Sequence, residues 1–143
     1  MQESLFPSTV TQKLYNERAI LIGTFVGGPL AGGYLLARNF AALNQPGRAG
    51  KTWMATIGVL LLLIASSFIP LADKIPPVVY GFALGWTAHF VARKYQGSNL
   101  ALHRENGGQF YSTWRAVFTG VVSLLLLVGF VLGLFYLQDQ LAG

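Results

Sequence analysis

The chain has 143 residues, of which 53% are hydrophobic and only 10% charged, where a soluble domain carries roughly 25% charged residues. That composition argues against a water-soluble globule, and the absence of cysteine excludes disulfide frameworks, thiolate metal sites and cysteine nucleophiles. Ten Lys and Arg against five carboxylates leave a formal charge of +5, which any apolar span must keep outside itself.

Residues 1–18 read as a segment ahead of the first span, with a weak apolar side formed by Leu5, Phe6, Val10 and Leu14. After it the ionised residues leave four long blanks. These are 19 residues between Arg18 and Arg38, 21 between Lys51 and Asp73, 18 between Lys74 and Arg93, and 23 between Arg115 and Asp139. A hydrocarbon core of about 30 Å needs roughly 17–25 residues of helix, so each blank is long enough to cross. A soluble four-helix bundle would need a charged face on every helix, which four blanks do not allow. Lipid offers the backbone no hydrogen-bond partner, and the alternation of a β-barrel strand is missing from runs such as 58–64. The expected fold class is therefore an all-α membrane protein with four transmembrane helices, at 19–37, 53–72, 76–92 and 116–137, followed by a short tail at 138–143. Glu3 and Glu17 dilute the basic character ahead of the first span, so it reads as retained rather than cleaved.

Basic residues in short loops resist translocation. Arg38, Arg48 and Lys51 in the first loop and Arg93, Lys94, Arg104 and Arg115 in the third put seven on one side, against Lys13, Arg18 and Lys74 on the other. With four spans, both termini fall opposite the basic loops, so 1–18 is expected to be extracytoplasmic and loops 38–52 and 93–115 cytoplasmic. Trp53, Tyr95, Tyr111 and Trp114 then sit at the cytoplasmic interface, where amphipathic rings are favoured.

The exits of spans one and three share an Ala-Arg-polar-aromatic skeleton, Ala37 to Phe40 and Ala92 to Tyr95, and Thr52-Trp53 and Thr113-Trp114 precede the two leucine-rich spans. Two tandem hairpins, related by an axis along the membrane normal, would give this pattern; so would convergence at membrane interfaces.

Glycines recur at four-residue spacing: Gly23 and Gly27, Gly28 and Gly32, Gly81 and Gly85, Gly129 and Gly133. Each interior glycine costs a helix about 0.5–1 kcal/mol relative to alanine, and close approach of helix backbones in lipid is the compensation expected. These eight are the expected helix-packing residues, within the four-helix unit or in a homo-oligomer. Pro29 removes a backbone donor next to Gly28 and is expected to kink span one, as a gate or as a packing adjustment.

His89 is the one ionisable side chain inside a span, which makes it a candidate ligand or proton-carrying group, with a neutral hydrogen-bonded histidine as the alternative. No Asp or Glu lies within a span, which counts against proton-coupled transport. His103, Arg104 and Glu105 mark the polar third loop as a contact surface. Too few ligands surround them for a metal site, and a solvated loop with a Gly107-Gly108 turn is expected there. No catalytic residue, metal site or cofactor is expected, and no nucleic-acid partner.

The stretches Gly27-Gly28-Pro29-Leu30-Ala31-Gly32-Gly33-Tyr34-Leu35 and Gly107-Gly108-Gln109-Phe110-Tyr111-Ser112-Thr113-Trp114-Arg115-Ala116 resemble an uncharacterised family of small bacterial four-span integral membrane proteins. The resemblance covers most of residues 14–120 and implies a multi-pass protein of the bacterial inner membrane. It carries no activity with it. The function expected is that of a non-enzymatic interaction or accessory factor of the assembly or immunity type. Its partners would be the bilayer together with a second copy or another membrane protein. The alternative is an oligomeric small channel or transporter with a path lined by spans one and three.

Overall fold

The computed structural model describes residues 12–143. They are all-α, in four long helices: α1 (Glu17–Ala42), α2 (Pro46–Ser66), α3 (Pro77–Glu105) and α4 (Thr113–Ala142), with a 3-10 turn at Ala72–Lys74 between α2 and α3. By length and composition α1, α2 and α4 could each cross a membrane. The apolar side expected over Leu5, Phe6 and Val10 lies outside the described residues.

Local chemistry sets the starts. The Asn16 side chain accepts a hydrogen bond from the Ala19 N–H at 2.7 Å, and the Ser112 hydroxyl accepts one from Arg115 at 3.3 Å, each satisfying a donor that the first helical turn leaves open. Pro46 and Pro77 occupy the first positions of α2 and α3, where a missing N–H costs nothing.

The main departure from the sequence expectation is in α1. It is not one rod but two arms, residues 17–27 and 29–42, that double back at Gly28. Gly28 has φ 70° and ψ −156°, a conformation essentially confined to glycine, and Pro29 opens the second arm with its ring already at a helical φ. The arms lie side by side. A Cβ at Gly23 would stand 2.6 Å from the Leu35 side chain and one at Gly32 would stand 2.7 Å from the Thr24 hydroxyl. At the open end, Tyr15 and Asn39 are hydrogen-bonded, although a straight helix would hold them about 36 Å apart. The kink expected at Pro29 is thus a complete reversal. Arms of about 16 and 21 Å are each too short for a 30 Å hydrocarbon core.

This hairpin is the centre of the molecule, and each of the other three long helices packs on it. Ala19, Ile20, Leu35 and Leu36 are buried against Ala88 and Ala92 of α3 and Ala116 of α4. On α2 the corresponding contact is Thr56, which meets Gly33. Beyond the hairpin, α2 and α4 keep little protein cover: Thr56 is the one buried residue of α2, and Ala116, Gly120 and Ser123 are those of α4.

Two further expectations change. The segment read as loop 93–115 is helical as far as Glu105, because α3 buries one stripe, Gly85, Ala88, Ala92, Gln96, Leu100 and His103, that passes straight through the basic pair Arg93-Lys94. The tandem-hairpin reading also fails to carry over. The element following the N-terminal segment is itself folded in two, whereas α3 is continuous over 29 residues, so the two halves do not correspond in order.

Candidate functional site

The polar residues of the fold gather at the open end of the α1 hairpin. The chain entering α1 is held there by backbone pairing with the segment before α4: Leu14 N–H donates to Gln109 O at 3.3 Å, and Tyr111 N–H donates to Leu14 O at 2.8 Å. One residue on, Asn39 closes the hairpin. Its Oδ1 accepts from Tyr15 N–H at 2.8 Å, and its Nδ2 donates to Tyr15 O at 2.7 Å and to Gln96 Oε1 at 3.0 Å. Gln96 Nε2 in turn donates to Leu36 O at 3.0 Å. Both amides are fully buried, and the network satisfies them by tying both ends of the hairpin to α3.

A layer of cations and rings surrounds this network. Tyr111 packs on Tyr15 at 4.5 Å between centroids. The Arg115 guanidinium sits 4.4 Å from the Tyr111 ring centroid, and Arg38 lines a hollow together with Tyr111. Arg48 and Lys94 both lie over Tyr95. Arg104 lies over Phe110 and is 3.6 Å from the Glu17 carboxylate. Of the chain's ten Lys and Arg residues, nine stand at or beside this end; Lys74, in the turn between α2 and α3, is the exception.

His89 and His103 face different surroundings on α3. His89 Nδ1 is 3.2 Å from Glu17 O, and because a carbonyl only accepts, Nδ1 carries the hydrogen. Its ring stands edge-on to Trp86 at 5.4 Å. His103, expected on a solvated loop, is instead buried, with Nε2 donating to Gln109 O at 2.8 Å. Its Nδ1 has no hydrogen-bond partner among the described residues, and a Cβ added at Gly108 would collide with its ring. Arg104 and Glu105 are exposed at the end of the same helix. Among the described residues no three His, Cys, Asp or Glu side chains come together as metal ligands.

The glycine set divides. Gly23 meets Leu35 and the Ala116 backbone, Gly27 packs so closely on Gly120 that an added Cβ would stand 2.5 Å from its backbone, and Gly81 and Gly85 abut Phe25 and the Leu21 carbonyl. Gly32 closes on Thr24. Gly28 serves conformation rather than contact, while Gly129 and Gly133 face open space. Sequence reasoning missed Gly120, whose spacing from Ala116 is the same small-residue signal, and missed Asn39 and Gln96, which look like ordinary polar residues at a span exit.

Comparison of the chain with family models, with curated proteins and with solved structures finds no match.

Proposed function

We propose that the chain is a multi-pass protein of the bacterial inner membrane that works as a non-enzymatic interaction factor through helix contacts. The observation that carries this is the uneven cover of its apolar surface. The hairpin is sealed by Gly27 on Gly120 and by its buried amides, whereas α2 and α4 leave Leu62, Leu125 and Phe135 at 70%, 65% and 64% exposure. A single soluble domain rarely exposes apolar patches of such extent. The outer halves of α2 and α4 also diverge around a groove of about 810 Å³ lined by Leu61, Ile64, Phe130 and Leu134 among others. Gly129 and Gly133 stand uncovered on α4, available to a second helix. The resemblance of the glycine-rich and Phe-Tyr-Ser-Thr-Trp stretches supports the bacterial assignment.

In this reading α2, α3 and α4 cross the bilayer, and α1 enters and leaves through one face as a half-depth hairpin. Next to the tip, Phe25 packs on Gly81 and Gly27 on Gly120, so α3 and α4 flank the backbone groups that the reversal frees. The N-terminal side of the hairpin then shares a face with both basic segments. Nine Lys and Arg on that face against one at the opposite turn is a steeper asymmetry than the seven to three of a four-span threading, and it favours residues 12–16 in the cytoplasm and the C-terminus outside.

A path lined by spans one and three is less well supported, since the space beside Pro29 between α1, α2 and α3 is small, about 160 Å³, and His89 donates to a backbone carbonyl. Photo-crosslinkers at Leu61 and Phe130 in native membranes test the proposal. A trapped polypeptide, whether a second copy or another membrane protein, is the expected result. Adducts with lipid alone would overturn it, and liposome flux abolished by His89→Ala would establish the channel reading in its place.

A further inference from the structure

Beside the buried amides lies a hollow of about 510 Å³, lined by Gln12, Lys13, Arg38, Ala41, Ala42 and Tyr111. Its volume falls in the range of roughly 300–1,000 Å³ usual for small-ligand sites. Its walls come from two distant parts of the chain, the entry and second arm of α1 and the segment preceding α4, so it exists only when the hairpin is closed.

The charge in it is one-sided. Lys13 and Arg38 are exposed cations, and among the described residues no carboxylate lines the hollow; Glu17, the nearest acidic residue in sequence, is engaged by Arg104. Arg38 shares the wall of the hollow with Tyr111, and Tyr111 is itself fixed by the Leu14 backbone, the Tyr15 ring and the overlying Arg115. A guanidinium has five N–H donors in a planar fork, and the exposed Arg38 can turn that fork toward a ligand. Two cations beside a phenol match a phosphate group, and Ala41 and Ala42 add a small apolar flank. The hollow lies at the same end as the exposed Trp53 and Trp114, rings of the kind that settle at headgroup level.

We propose that this hollow binds the phosphate of an anionic phospholipid headgroup, with Arg38 and Lys13 supplying the charge and the Tyr111 hydroxyl a hydrogen bond. The proposal rests on the membrane reading above, and a soluble phosphate ester would share the same recognition chemistry. Basic pockets between membrane helices on the cytoplasmic side are suited to this kind of ligand.

The test uses the full chain in phosphatidylcholine nanodiscs doped with phosphatidylglycerol, with retained lipid counted by native mass spectrometry. Selective retention of phosphatidylglycerol is expected. It should fall about fivefold with Arg38→Gln and again with Lys13→Gln, and should not change with Lys51→Gln. Arg38 and Lys13 are exposed, so these variants keep the fold, and Tyr111→Phe provides a milder third probe. Inorganic phosphate in excess should leave retention unaltered; displacement by it would overturn the lipid as the ligand and identify a soluble phosphate instead. Equal losses from Lys51→Gln and Arg38→Gln would show a diffuse surface field and overturn the site. A chain that stays dispersed without detergent and does not enter nanodiscs at all would overturn the membrane reading itself, a result distinct from the other two.

Discussion

Asn39 reads the backbone of Tyr15 in both directions, accepting from its N–H at 2.8 Å and donating to its carbonyl at 2.7 Å. One side chain thereby clamps the two ends of a helical hairpin whose partners are 24 residues apart. Asn39→Leu leaves the Tyr15 N–H and carbonyl and the Gln96 carbonyl oxygen buried without this partner, at about 1–3 kcal/mol for each group stranded. The expected outcome is a clear fall in the thermal midpoint of the detergent-solubilised protein. Asn39→Asp should also lose stability, because a carboxylate keeps the acceptor but cannot donate to Tyr15 or Gln96. An unchanged midpoint in both variants would contradict the clamp.

Glycines of the same sequence pattern should respond in opposite ways. A Cβ at Gly27 meets the Gly120 backbone, which cannot rotate aside, so Gly27→Ala is expected to cost about 1–3 kcal/mol through overpacking. Gly129→Ala meets nothing in the isolated chain and should stabilise α4 by about 0.5–1 kcal/mol through helix propensity. Thermal midpoints of the two purified variants check this. If Gly129→Leu leaves the purified chain intact but removes the crosslink from Phe130 in membranes, the uncovered face is one that a partner uses.

Gly28 is a third case, with space around it but no allowed alternative conformation. Gly28→Ala should cost about 1–3 kcal/mol from backbone strain alone. The reversal itself is measurable by spin labels at the exposed positions Arg18 and Ala41. A continuous helix would hold the two backbones about 34 Å apart. The hairpin requires a much shorter distance, and a value near the rod length would refute it.

Helix content and the apolar spans were legible in the sequence because charge is excluded from them, a strong one-dimensional signal. The reversal was not. Gly-Gly-Pro reads as a kink, and whether the chain bends or doubles back is decided by contacts such as Gly23 with Leu35 and Asn39 with Tyr15 that only the fold creates. The length of α3 was hidden for a related reason. Its buried stripe includes Gln96 and His103, so the apolar period stops at Ala92 although the helix does not. The glycines at 23, 27, 81 and 85 were readable as contact residues, but their partners were not, since spacing identifies a face and not what covers it. The candidate phosphate site was invisible for the same reason, as Lys13, Arg38 and Tyr111 are distant in the chain.

The strongest remaining consequence is the threading. Four crossing helices would place Gln12, Asp73 and Gln140 on one side. A hairpin followed by three crossings instead separates Gln12 from the other two, because α1 returns to the face it entered and each later helix changes sides once. Single cysteines at Gln12, Asn44 and Asn106 should therefore be labelled together from the cytoplasmic side, and those at Asp73 and Gln140 together from the outside, using an impermeant maleimide on intact cells and inverted vesicles. The nine basic residues at one end make that orientation the favoured one. Labelling of Gln12→Cys from the same side as Asp73→Cys would show that α1 crosses after all, and would remove the half-depth hairpin from the membrane disposition proposed here.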